Sequence, residues 1–225
     1  VEIMWHTQMG YSSVFWKRVV WEWGVRIGVG IGVGSLVFLN LRVVAATLTG
    51  IQIKRRFGNL EISEQIPRSY VLMGVLGISA LLALWFGAGV PNNLGLQALL
   101  LSNASPWGIT DPILAHDVSF YVFWLPVLLS FLMFALILNF LVLSVVTAGY
   151  AATGAIRWGR GKFYAEDRAR LHLAILLAFF LVLMGVRFWF ERYALFLDGT
   201  SGVSGILGYT DAQARIPTLQ TLTVI

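Results

Sequence analysis

Long apolar runs separated by short polar links set the pattern of this chain. The runs cover residues 19–46, 69–90, 118–153 and 171–190, and a further one opens at Ile216 and stops at Ile225. Neither strand-like alternation nor a one-sided helical stripe divides them. Each complete run is near or above the ~20 residues a helix needs to cross a bilayer. The third run is too long for one span. Pro126 suits a first helical turn, where a missing N–H costs nothing, and the crossing then runs over 126–149. The last run rises only ~15 Å as a helix, about half a hydrocarbon core. The pattern predicts an all-α polytopic transmembrane helix bundle with four complete spans and the start of a fifth, a fragment of a longer protein. Residues 1–18 are too polar for a signal-peptide core and form an interfacial segment ahead of the first span.

Composition agrees: 58% of the residues are hydrophobic and 12% charged, against ~25% charged in a soluble domain. Cysteine is absent, which excludes disulfides, thiolate metal sites and cysteine nucleophiles in this chain. The net charge of +5 implies no nucleic-acid partner, because its distribution has a simpler cause. Five basic residues lie in the link 42–68 (Arg42, Lys54, Arg55, Arg56, Arg68) and five in the link 157–170 (Arg157, Arg160, Lys162, Arg168, Arg170), with none in 90–119. The positive-inside rule places the two basic links in the cytoplasm and the N-terminus, 90–119 and 191–215 outside. Trp5, Trp16, Trp21, Trp23, Trp85, Trp107, Trp124 and Trp189 then fall at outer span ends, with Trp158 alone inside. That is an interfacial aromatic belt; a Trp-lined ligand site is the alternative. Anionic lipid headgroups suit the basic links, and the mixed apolar and charged stretch 49–66 suits an interfacial segment.

Span one carries Gly24, Gly28, Gly30, Gly32 and Gly34. They lie inside an apolar span, not between a strand and a helix, so a phosphate loop is excluded. Spacings of four predict a smooth face for close helix packing, within this chain or with another subunit. Glu22 and Arg26, and Arg187 and Glu191, are each four apart at the outer ends of spans one and four. At one depth the four form either a charge cluster joining the spans or two separate intrahelical pairs.

Asp111, His116 and Asp117 are the compact set of ligand-type side chains. Capping is the first reading: Asp111 before Pro112 starts a short helix and Asp117 caps the segment from Val118 onward. A hard-metal or acid/base site is the second. Polar groups inside the spans are few: Ser79, Asn139, Ser144 and Thr147, with Asn139 near mid-membrane and suited to an interhelical hydrogen bond. No span carries an acidic, lysine or histidine side chain near its middle, which argues against a proton relay built from these spans alone. His172, at the cytoplasmic start of span four, is a candidate haem or pigment ligand, against the plainer reading of an interfacial imidazole. No hydrolase elbow, zincin helix or Walker lysine is present, so an enzyme is not expected.

Three strings are distinctive: Met9-Gly-Tyr-Ser-Ser-Val-Phe-Trp-Lys-Arg18; Gly108-Ile-Thr-Asp-Pro-Ile113 with Asp117-Val-Ser-Phe-Tyr-Val-Phe123; and Gly208-Tyr-Thr-Asp-Ala-Gln-Ala-Arg-Ile-Pro217. On these the chain resembles the UPF0182 family of large multi-span bacterial membrane proteins. The resemblance implies about seven spans, one of them before Val1, and a large outer C-terminal domain. It carries no activity or catalytic residues. The expected function is a non-catalytic accessory or scaffold subunit of a larger membrane complex, respiratory or photosynthetic, in the bacterial inner membrane. Membrane lipids and other membrane subunits are the expected partners, with no cofactor. The alternative is a transport or envelope-maintenance protein that handles a lipid or solute together with the outer domain.

Overall fold

The computed structural model describes residues 2–48, 52–57, 60–65, 67–159, 161–196 and 208–224. Its helices are α1 (Glu2–Gln8), α2 (Ser12–Leu48), α3 (Arg68–Ala88), α4 (Asn92–Ser102), α5 (Leu125–Ala152), α6 (Asp167–Ala194) and α7 (Ile216–Leu222). Four stretches among the described residues are long and apolar enough to cross a membrane: Ser12–Thr47, Arg68–Ala88, Phe120–Ala152 and Asp167–Ala194. They match the four complete spans expected, and the architecture is the all-α bundle. The first helix begins at Ser12 rather than Val19, so part of the expected interfacial segment is continuous with it. At ~1.5 Å per residue α2 is ~55 Å long, well beyond a ~30 Å hydrocarbon core.

Both basic links contain an antiparallel hairpin. β1 (Gln52–Phe57) pairs with β2 (Leu60–Gln65), Phe57 opposite Leu60. β3 (Ile156–Gly159) pairs with β4 (Lys162–Ala165), Gly159 opposite Lys162. Only two residues separate the strands in each, the length of a tight hairpin, and Gly161 supplies a left-handed backbone at φ 74 in the second. The expected interfacial segment at 49–66 is therefore a hairpin over its described part; Ile51 and Ile66 lie outside the described residues. The link 90–119, expected as a loop, contains α4, which starts after Pro91 and ends at Asn103.

The chain divides into two compact units. One comprises Ile27–Gly89 and Leu138–Phe179. In it Val33, Val37, Leu41 and Val44 of α2, Val75 of α3, and Leu138, Val142, Val146 and Tyr150 of α5 are buried. The backbone of α2 comes close to α3: a Cβ at Gly30 would stand 3.1 Å from the Ala83 carbonyl oxygen, and one at Gly34 3.0 Å from the Ala83 methyl. Gly149 of α5 performs the same service against Val44, at 2.8 Å. A Cβ at Gly24, Gly28 or Gly32 would meet nothing within 4 Å. The glycine face thus splits into a packed pair and an open row.

The other unit comprises Val1–Arg26, Val90–Ile137 and Phe180–Ile225. Leu132 and Leu136 of α5 pack with Leu183 of α6, and Tyr121 and Leu125 pack with Tyr193. α4 lies against α2 so closely that a Cβ at Gly95 would sit 2.6 Å from the Glu22 Cα. Two π-helical turns occur here, Phe120–Trp124 and Asp211–Arg215. Each is followed after one residue by a proline, Pro126 and Pro217. The wider turn relieves the clash between a proline ring and the carbonyl four residues earlier. Helicity therefore continues back to Phe120 across Pro126, where the sequence suggested a start.

Candidate functional site

The densest polar construction is the segment from Trp107 to Tyr121. Its ends are tied by Val118 N–H donating to the Ile109 carbonyl (2.9 Å) and Asp111 N–H donating to the His116 carbonyl (2.8 Å), with Thr110 and Asp117 bridged antiparallel. Asp117 holds the closure. One carboxylate oxygen accepts from Ser119 N–H (2.8 Å) and Trp107 N–H (3.1 Å), the other from Gly108 N–H (2.8 Å). Those donors, the Ser119 hydroxyl first, then the Ser119 and Trp107 amides, hold the Asp117 carboxyl down at about 2, because each favours the charged form. Asp111 is buried. It accepts from Ile113 N–H (3.0 Å), Leu114 N–H (2.7 Å) and the Tyr121 hydroxyl (2.9 Å). The expected short helix after Asp111 is a single turn. It ends at Ala115, whose φ of 58 is left-handed without being glycine, a conformation that costs energy and needs the surrounding bonds to hold it.

His116 turns away from both carboxylates. Its ring stacks on Phe120 at 4.9 Å, and its Nε2 lies 3.2 Å from the Tyr193 hydroxyl. Arg192 donates to that same hydroxyl oxygen at 2.6 Å. The hydroxyl can therefore either donate to Nε2 or accept from it through its second lone pair, according to the His116 tautomer. Asp111, His116 and Asp117 are neighbours in sequence, but each serves a different partner. Among the described residues no group of three or more His, Asp or Glu side chains is arranged to hold a metal ion. Asp211 is a separate, fully buried carboxylate that accepts from Arg215 (3.1 Å) and Gly208 N–H (3.2 Å).

The four charges of spans one and four pair within their own helices: Arg26 with Glu22 at 3.1 Å and Arg187 with Glu191 at 3.2 Å. Arg26 also lies 5.5 Å from the Trp23 ring centre, and Arg187 reaches the Met133 sulfur at 2.7 Å. None of the ion pairs among the described residues joins α2 to α6. Inside the spans, Ser144 and Thr147 donate to Phe140 and Leu143 carbonyls of their own helix. Asn139 is buried, and its side-chain oxygen has no hydrogen-bond partner among the described residues.

His172 is the hub of a second construction, which joins three helices. Its Nε2 lies 2.9 Å from the Asn40 side-chain oxygen on α2, and its Nδ1 3.0 Å from the Tyr150 hydroxyl on α5. The Asn40 amide nitrogen donates to the Leu36 carbonyl at 2.7 Å, which fixes the amide and makes its oxygen the acceptor. Nε2 therefore carries the proton, and Nδ1 of the neutral ring accepts from Tyr150. The bonds run one way: Tyr150 to His172 to Asn40 to Leu36. Both ring nitrogens are engaged, so a haem or pigment metal would have to displace a partner to reach either. Asn40 and Tyr150 did not stand out in the sequence. The available signal was that each sits at the same end of its apolar run as His172.

The model of the uncharacterised protein family UPF0182 matches residues 1–225. The chain belongs to the UPF0182 family. A UPF0182 protein of Kocuria rhizophila is 31% identical over 99% of the chain and 22% of its own length. One of Geobacter sp. is 31% identical over 97% and 24%, and one of Trichodesmium erythraeum 28% over 96% and 23%. This UPF0182 chain thus spans about a quarter or less of the curated relatives it matches. No solved structure matches it. The strings that carried the resemblance fold into identifiable devices. Gly108–Ile113 and Asp117–Phe123 form the closed loop and the first π turn, and Gly208–Pro217 forms the second. In this UPF0182 chain those two strings shape backbone outside regular α-helix, whereas Met9–Arg18 turns at Gly10 and enters α2 at Ser12.

Proposed function

We propose that this UPF0182 segment is a non-catalytic scaffold, the membrane portion of an accessory subunit that packs within a larger complex of the bacterial cytoplasmic membrane. The two basic hairpins face the cytoplasm, and the closed loop 107–121 faces outward as a preformed docking surface. One observation carries the reading. The loop's carboxylates, Asp111 and Asp117, are committed to backbone N–H groups and to Tyr121. Such groups hold a surface in one shape and have little freedom to move protons or bind a metal, whereas a catalytic carboxylate needs a face open to substrate. The open row of Gly24, Gly28 and Gly32 offers a second contact, where a partner helix can approach closely.

The test is purification of the full-length protein from its native membrane in mild detergent. Co-migration of defined membrane subunits at fixed stoichiometry is expected. Isolation as a free monomer at every detergent-to-protein ratio overturns the scaffold role and favours the transport or envelope-maintenance alternative.

A further inference from the structure

The link between α5 and α6 carries a pattern that a connector does not need. β3 and β4 form a two-stranded sheet, and no other described strand pairs with it. Trp158 stands opposite Phe163, Ile156 opposite Ala165, and Arg157 opposite Tyr164. Side chains alternate along a strand, and directly opposed residues share a face. Ile156, Trp158, Phe163 and Ala165 therefore occupy one face, and Arg157, Lys162 and Tyr164 the other. One face holds no polar side chain, and the other holds both cations of the two strands. The register alone sets this division, whatever lies around the hairpin.

The Trp158 and Phe163 rings are 6.4 Å apart, 75% and 60% exposed as residues. On the opposite face the Arg157 guanidinium lies 6.0 Å from the Tyr164 ring centre. Two adjacent aromatic rings left in water are unfavourable, and an isolated two-stranded hairpin is marginal by itself. A surface that is apolar on one side and polar on the other relieves both. The helices hold the hairpin beside such a surface. α6 has 28 residues, ~42 Å as a helix, about the thickness of a bilayer with its headgroups. Its first residue, Asp167, is two positions beyond Ala165, a reach of at most ~7 Å. Each strand adds only ~10 Å. The hairpin cannot stray far from the headgroup layer. The link 157–170 also carries five basic residues against two acidic ones, which complements an anionic surface.

We propose that the β3–β4 hairpin is an interfacial anchor that lies on an anionic lipid surface. Trp158 and Phe163 enter the boundary between headgroups and acyl chains, and Arg157 and Lys162 bind the phosphates. The inference rests on α5 and α6 crossing a membrane, not on the scaffold role. Tryptophan favours this level of a bilayer, and amphipathic segments lie in its plane with the apolar side down. The long stems of Arg157 and Lys162 let their charges reach the phosphates from the other face. Each basic residue near such a surface strengthens the attachment roughly fivefold. A hairpin seated in this way fixes the depth of the adjoining ends of α5 and α6.

The test uses the full-length protein in nanodiscs of phosphatidylcholine with or without phosphatidylglycerol. Phe163→Cys and Tyr164→Cys, made with any other cysteine replaced, each carry a nitroxide on opposite faces of one strand. The label at 163 should be relaxed mainly by oxygen dissolved in the bilayer, and the label at 164 mainly by a water-soluble nickel complex. Equal exposure of both to nickel overturns the proposal, because the hairpin then stands in water. Shielding of both from both reagents also overturns it, because protein then covers the apolar face. Hydrogen exchange of the unmodified hairpin needs no substitution and decides the matter if the labelled variants do not fold. Its amides should exchange about tenfold or more slowly when phosphatidylglycerol is present. The double variant Arg157→Gln, Lys162→Gln should lose that difference. Equal exchange with and without phosphatidylglycerol, or a difference that survives in the double variant, overturns the role of these two cations. None of these outcomes depends on whether partner subunits co-purify.

Discussion

The closed loop and the Asn40–His172–Tyr150 chain both place polar groups in an apolar protein, and they satisfy them by opposite means. In the loop the two carboxylates accept mostly from backbone donors, and none of their bonds spans more than ten residues of sequence; among the described residues only the His116 side chain hydrogen-bonds out of it, to Tyr193. In the three-helix chain every partner is a side chain except the last, and the bonds reach across 22 and 132 residues. The loop can form before the helices assemble, whereas the chain exists only once α2, α5 and α6 are together. The loop is therefore a local device that shapes a surface, and the chain is a consequence of assembly that holds it in one register. In a bilayer the chain matters beyond its bond count, because apolar surface does little to select one helix pairing over another when lipid is as apolar as leucine.

The largest expected effect tests that distinction at its hub. His172→Leu removes the middle partner and leaves the fully buried Tyr150 hydroxyl and the Asn40 oxygen without bonds. At ~1 kcal/mol or more for each orphaned group, the loss is about 2–3 kcal/mol. Unfolding in mixed micelles measures it. Asn40→Leu and Tyr150→Phe should be non-additive in the same assay, since each acts through one imidazole. Additive losses would mean that the three contacts are independent, and the contrast with the loop would fail.

A smaller and more confined effect is expected at the loop. Asp111→Ala removes the acceptor of two backbone amides and orphans the buried Tyr121 hydroxyl, at a cost of about 2 kcal/mol. Because the bonds are local, amide exchange should rise across 107–121 and stay unchanged around Tyr150. Loss of protection around Tyr150 would show that the loop is part of the helical core and not a separate device.

The same contrast explains what could be read in advance. The spans were legible because a bilayer demands long apolar runs whatever they pack against. Capping by Asp111 and Asp117 was legible because an Asx side chain reaches its own backbone two or three residues on. The exact element was not: the turn closes at Ala115 in a left-handed conformation that no residue type there announces. Asn40 and Tyr150 were invisible for a different reason. Nothing local distinguishes an amide that meets an imidazole 132 residues away from one that bonds only its own helix. The glycine row shows both sides. Its spacing identified a face for close approach, but which members meet α3 depends on where Ala83 lies, and that is tertiary information. The two hairpins were masked by their charge, which was read for topology and not for strand pairing.

The smallest expected effect concerns acid. Asp117 titrates at about 2 in the folded chain against an ordinary value of 3.8, so folding favours its charged form. A depressed carboxyl contributes stability that is complete above the unfolded value and lost as pH falls through the folded one. The contribution of Asp117 should be intact above about 4 and fade towards 2. The amides of Trp107, Gly108 and Ser119, which donate to this carboxylate, should lose protection over that window. Asp117→Asn should abolish the window and leave those three amides poorly protected at every pH, because the neutral amide is a weaker acceptor and brings donors into a site full of them. If the protection of Trp107 and Gly108 is instead independent of pH down to 2, their hydrogen bonds do not depend on a charged acceptor. The loop would then be held as the helices are, by packing.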